Sequence, residues 1–179
     1  MRRSLDALYR GSGVVAAACL ALIAGLVLVQ IVGRMAGVLV PGADDLASYA
    51  LVATSFLALA YTLKGGGHIR VALLLRRLPP RPRRRAELGA LALGTAVTLY
   101  FTWFAIELTW LSWRFGDMSQ GVLPIPLWLP QSVMALGLII FAVALIDELV
   151  VVLKGGLAGY QQAESAEADA IERRLAGGE

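Results

Sequence analysis

The chain has 179 residues, 58% of them hydrophobic and only 16% charged, with a formal net charge of +3. That balance is far from the soluble norm and excludes an ordinary water-soluble globular domain. A single cysteine and a single histidine also exclude an intrachain disulfide framework, a cysteine-rich metal site and the paired axial ligands of a membrane b-type haem.

Four apolar runs, at 14–33, 46–63, 88–104 and 127–146, are each close to the length at which a helix crosses a hydrocarbon core of roughly 30 Å. The first shows no polar residue before Gln30, whereas a soluble helix carries a polar stripe. A lipoprotein-like cleavage site at 16–19 is disfavoured, because the apolar stretch before Cys19 is too short for an h-region and the hydrophobicity continues past it. At the far end of this span, Gln30 and Arg34 stand one turn apart, followed by a short loop and Asp44-Asp45. An acidic pair at a helix start caps free N–H groups and meets the positive end of the macrodipole. An ion pair with Arg34 is geometrically reasonable. Capping and snorkelling account for these residues; the functional alternative is a polar patch that contacts a partner.

After Lys64, Gly65, Gly66 and Gly67 end the second span and permit a sharp turn. Val71, Leu74, Leu75 and Leu78 fall at i, i+3, i+4 and i+7, with Arg70 and Arg77 towards the other side. This pattern predicts a short amphipathic helix over about 68–78, lying in the membrane interface and ended by Pro79-Pro80, too short and too basic to cross. The segment PPRPRRR then reads as a stiff basic link. His68, beside a glycine turn and Arg70, is expected to bond a backbone carbonyl or a lipid headgroup.

In the third span, Glu107 lies among Trp103, Trp110 and Trp113, the composition of an aromatic belt at headgroup level. In the loop that follows, Pro124 and Pro126 lead into the fourth helix, and Pro130 suits its first turn. Asp147 and Glu148 arrive at the other end of that helix, and Gly155-Gly156 close it. No charge falls near the middle of any span. Gly25, Gly33, Ala58, Ala60, Gly89 and Gly94 are small enough to allow close helix contact.

Fourteen of the sixteen lysines and arginines lie in the N-terminal segment, the second connection and the C-terminal segment, leaving only Arg34 and Arg114 on the other side. By the positive-inside rule both termini are cytoplasmic. The arginine cluster is then a topology determinant touching anionic lipid, and a nucleic-acid reading of it has no fold to support it. The expected architecture is an all-α integral membrane protein. A single four-helix domain occupies 1–153, with spans at about 14–34, 45–63, 87–113 and 127–153, and residues 154–179 form a polar cytoplasmic tail. Nucleophile elbow, phosphate loop and HExxH motifs are missing, and no cofactor is implied.

Taken in order, Asp44-Asp45, then TLKGGGHIRVALLLRRLPPRPRR, then a third span, then WRFGDMSQGVLPIPLWLPQSVMALGL resemble the small membrane subunit of TRAP (tripartite ATP-independent periplasmic) transporters. Two parts carry the likeness best: the basic residue and glycines before His68-Ile69-Arg70 with the apolar helix and proline behind them, and Ser119 followed by Pro126 and Trp128. The chain departs from the family pattern where Ala43 precedes two aspartates instead of a tryptophan preceding two glutamates.

The resemblance implies a bacterial or archaeal cytoplasmic membrane, a large many-span partner subunit that carries substrate and ion, and a periplasmic binding protein that delivers an organic acid. It implies that Arg34, Asp44, Asp45, Arg114, Asp117 and Ser119 lie on the periplasmic face. It places His68, Arg70, Val71, Leu74, Leu75 and Leu78 in the cytoplasmic leaflet as an anchor of the scaffold. Two other readings stay open: a separate membrane-assembly or regulatory protein, and a small membrane enzyme whose one acid–base candidate is His68 with Asp147 and Glu148.

Overall fold

The computed structural model describes residues 2–65 and 80–156. They form four helices: α1 (Arg2–Met35), α2 (Ala43–Lys64), α3 (Pro80–Phe115) and α4 (Trp128–Leu153). Each contains a stretch long and apolar enough to cross a membrane. At 1.5 Å per residue, the 22 residues of α2 reach about 33 Å, close to the hydrocarbon thickness. The 34 residues of α1 and 36 of α3 reach about 51 and 54 Å, so both overhang the apolar layer.

Both long helices begin earlier than their apolar runs. In α1, Tyr9, Ser12 and Ala16 are buried, and Leu5 and Cys19 pack against the same cluster. These five positions alternate spacings of three and four, which keeps one stripe of the polar N-terminal segment against a neighbour. In α3, the basic stretch expected to be a stiff link is helical from Pro80. Pro80 and Pro82 fall in its first turn, where a missing N–H costs no intrahelical bond and a fixed φ suits the helix. The expected interfacial helix at 68–78, with His68, Arg70, Val71, Leu74, Leu75 and Leu78, and the tail beyond Gly156, lie outside the described residues.

α1 packs along α2, α2 along α4, and α4 along α3, while α1 touches α4 only lightly. The neighbour order is therefore α1–α2–α4–α3, with the two overhanging helices at the margins. The contact stripes are made of small residues. Ala50, Ala53, Leu57 and Ala60 line α2, and Gly137 of α4 sits so close to Phe56 that an added Cβ there would lie 2.7 Å from its backbone carbon. On α1, a Cβ at Gly13 would lie 2.7 Å from the ring of Tyr61. Lipid supplies no hydrophobic drive between helices, so close backbone approach and dispersion hold such a bundle together.

On α3 the buried positions are Leu91, Thr95, Thr98, Thr102, Ala105 and Ser112, a stripe of three- and four-residue steps as far as Ala105, with Ser112 seven residues further on the same face. Thr95 and Thr102 satisfy their hydroxyls by donating to the carbonyls of Leu91 and Thr98, each at 2.7 Å, which lets a hydroxyl sit in an apolar contact at little cost. Tyr100, Phe101, Trp103, Phe104, Trp110 and Trp113 point outward. Large aromatics outside and small residues inside is the arrangement that suits a lipid solvent.

Candidate functional site: polar ties at the two ends of the bundle

One end of the bundle carries the two loops, 36–42 and 116–127; the other carries the helix termini near Lys64 and Leu153. Polar side chains join neighbouring helices at both ends.

At the loop end, Gly42 adopts φ 76°, a left-handed conformation open to glycine, and α2 starts at the next residue. Asp44 and Asp45 therefore lie inside the first turn, and no side chain caps the helix. They still meet the positive end of its dipole, but their carboxylates reach elsewhere. Gln30 Nε2 of α1 donates to Asp44 Oδ1 at 2.8 Å, and the Leu123 backbone N–H of the α3–α4 loop donates to Asp45 Oδ2 at 3.0 Å. Gly121 packs directly on the Asp45 carboxylate, and Leu123 directly on Gly42.

The loop itself is internally bonded. Ser119 Oγ donates to the Leu123 carbonyl at 2.9 Å, and the Ser119 N–H donates to the Ile125 carbonyl at 2.8 Å. The Leu127 N–H donates to the Asp117 carbonyl at 2.9 Å, and Met118 pairs with Pro126 in an isolated antiparallel bridge. Trp128 then opens α4.

At the terminal end, Lys64 closes α2 and reaches across to α4. Its Nζ lies 2.7 Å from Asp147 Oδ2 and 2.9 Å from Glu148 Oε1. Glu148 is fully buried at 0% exposure. The same ammonium stands 5.4 Å from the ring centroid of Tyr9 on α1, a cation–π distance. Tyr9 is 2% exposed, and its hydroxyl meets no hydrogen-bonding group among the described residues. Arg84 of α3 donates through Nη2 to the carbonyls of Val152 and Leu153 at 3.3 and 3.4 Å. A cation there satisfies orphan carbonyls and opposes the negative end of the α4 dipole.

The residues expected on one face thus separate into two kinds. Asp44, Asp45 and Ser119 belong to the bonded network of the loop end, with Asp117 joining it through its backbone. Arg34 and Arg114 are exposed and enter no ion pair among the described residues; the reasonable pairing of Arg34 with the aspartates is not formed, because Gln30 takes Asp44 and the loop takes Asp45. The acids of the enzyme alternative, Asp147 and Glu148, are engaged by Lys64, and His68 lies outside the described residues. Of the small residues expected at contacts, Ala60 is buried and Ala58 packs partly buried against the core, but Gly25, Gly89 and Gly94 face open space and Gly33 meets only its own loop. Gly13, Gly137, Tyr9 and the threonine stripe of α3 were not singled out by the sequence reading. The three- and four-residue spacing of hydroxyl and small residues from 95 to 105 is the available signal.

The fold and its ties define a four-helix membrane protein whose polar groups join helices at the two ends and leave the mid-depth of the spans without a charge cluster among the described residues. Residues 23–155 match the profile of the DctQ component of the tripartite ATP-independent periplasmic transporters, about three-quarters of the chain. The chain belongs to that family, a family of transporter components rather than of enzymes. No curated protein matches it closely enough to add a relative.

Proposed function

We propose that this chain is the fixed frame of a TRAP transporter: a small inner-membrane subunit against which a large, ion-coupled membrane subunit moves while it takes up an organic acid brought by a periplasmic binding protein. The observation that carries the reading is that each neighbouring helix pair is joined at both ends. Gln30–Asp44 and Lys64 over Tyr9 join α1 to α2; Asp45–Leu123 and Lys64–Asp147/Glu148 join α2 to the α4 side; the 117–127 bonds and Arg84 join α3 to α4. A part that must stay still while its partner shifts gains from such bracing, whereas a moving part gains from smooth, untied surfaces.

In this reading residues 1–153 are one membrane domain with both termini in the cytoplasm, and the loop end faces the periplasm. The basic bias of Lys64, Arg84, Arg85 and Lys154 supports that orientation. Arg34, Asp44, Arg114 and Asp117 then face the binding protein, while Asp45 and Ser119 shape the loop that meets it. The scaffold role, the organic-acid class and the partners come from the family likeness together with the bracing.

The test is co-purification from native membranes in mild detergent, joined to uptake by proteoliposomes with and without this chain. The reading expects a stoichiometric large membrane subunit to remain bound, and transport to fail in its absence. A chain that purifies alone as a stable homo-oligomer, with uptake unaffected by its deletion, overturns it.

A further inference from the structure

We propose that Lys64 is a latch that holds α2 on α4 at the terminal end, and that breaking it opens that end of the bundle alone. Between the two ends the α2–α4 contact is apolar: Ala53, Leu57 and Ala60 share one buried cluster with Ile140 and Ala144, and Gly137 lies against Phe56. That packing and the Asp45–Leu123 bond hold the middle and the loop end of the pair, and the polar contact at Lys64 is what holds its terminal end. Asp147 and Glu148 are adjacent on α4, so their side chains leave the helix about 100° apart. An ammonium 2.7 Å from one and 2.9 Å from the other must sit in the angle between them.

A slip of one turn, about 5.4 Å, or a modest rotation of either helix, breaks both contacts at once. It also takes the ammonium from Glu148, which has no exposure to water, and from the face of Tyr9. The loop end is held by different groups, Asp45 with Leu123 N–H and Gln30 with Asp44. Loss of the latch therefore leaves that end in place.

The test is amide hydrogen exchange on the full-length chain in lipid nanodiscs, comparing wild type with Lys64→Met, which keeps most of the length of the side chain and removes its charge. Exchange at 58–64 and 145–153 should quicken roughly ten- to a hundredfold, as expected when one partner of a buried charge pair is removed, while 43–50 and 121–128 keep their protection. The double variant Lys64→Glu/Asp147→Lys, which again sets one ammonium between two carboxylates, should recover most of the protection at the terminal end. Asp147→Asn, at a partly exposed position, gives the same two-ended readout with less damage should Lys64→Met fail to fold. Unchanged exchange in these variants, equal loss at both ends, or no recovery in the charge-swapped pair would each overturn the proposal.

Discussion

The Asp45 carboxylate accepts the backbone N–H of Leu123 at 3.0 Å across a separation of 78 residues, and so does not cap the helix it opens. An acid at the start of a helix is ordinarily explained by its own helix; here it holds the loop that joins the other half of the bundle. Asp45→Ala removes a charge-assisted acceptor from a part-buried N–H and should cost about 1–2 kcal/mol. Asp45→Asn, which keeps one carbonyl oxygen, should lose less. Gly121→Ala should be as damaging as Asp45→Ala, because its new methyl group would fall on the carboxylate. Thermal unfolding in detergent, with exchange at Leu123, checks all three; a stable Gly121→Ala protein would show that the loop is not clamped.

The glycines make a sharper contrast. A Cβ at Gly137 would stand 2.7 Å from both the backbone and the Cβ of Phe56, so Gly137→Ala must push α4 off α2 and should destabilise by about 1–3 kcal/mol, the range for overpacking. Gly94 has nothing within 4 Å. There Gly94→Ala should leave stability unchanged or raise it by about 0.5–1 kcal/mol through helix propensity alone. Melting temperatures of the two variants of the isolated chain should move in opposite directions.

Those two glycines also show what could be read beforehand. The four spans were legible because lipid-facing helices are apolar all round, and length plus composition suffices to find them. Which glycine touches a helix was not, since smallness has no direction: Gly25, Gly89 and Gly94 face open space although they look no different in sequence from Gly13 and Gly137. The periodic stripe Leu91, Thr95, Thr98, Thr102, Ala105, Ser112 did carry direction, but it is masked by the tryptophans and tyrosine between its members. The latch was hidden for another reason. Lys64 and Asp147 are 83 residues apart, and a basic residue at a span end already has a sufficient role in topology. In sequence Asp44-Asp45 reads as a cap because the helix start is free to fall one or two residues either way, and that shift decides whether an acid caps or reaches out.

Tyr9 tests the chemistry of the terminal end without touching a charge. Its ring faces Lys64 Nζ at 5.4 Å, and its buried hydroxyl meets no partner among the described residues. Tyr9→Phe keeps the ring and removes a polar group that burial penalises, so it should be neutral or stabilising by up to about 1 kcal/mol. Tyr9→Leu keeps apolar bulk but loses the π face, and should cost about 0.5–2 kcal/mol. Chemical denaturation of both variants decides the matter: a Tyr9→Phe loss larger than that of Tyr9→Leu would mean that the hydroxyl, and not the ring, is what the site uses.

Orientation can be settled with a single thiol at each end. Cys19 is the only native cysteine and is half-buried within α1, so Cys19→Ala gives a background without reactive thiols. Gln120→Cys places a probe on the exposed part of the α3–α4 loop, and Lys154→Cys places one just beyond α4, where the side chain is also exposed. Fourteen of the sixteen lysines and arginines fall in the N-terminal segment, the connection between α2 and α3 and the C-terminal segment, and moving a flanking arginine or lysine through a bilayer is opposed both by its desolvation and by the membrane potential. A membrane-impermeant maleimide applied to intact cells, with the outer membrane opened, should label Gln120→Cys within minutes. It should reach Lys154→Cys only after the inner membrane is broken. The reverse pattern would turn the bundle over. It would put the Lys64 latch in the periplasm, and the loop held by Asp45 could no longer be the surface that meets a periplasmic binding protein.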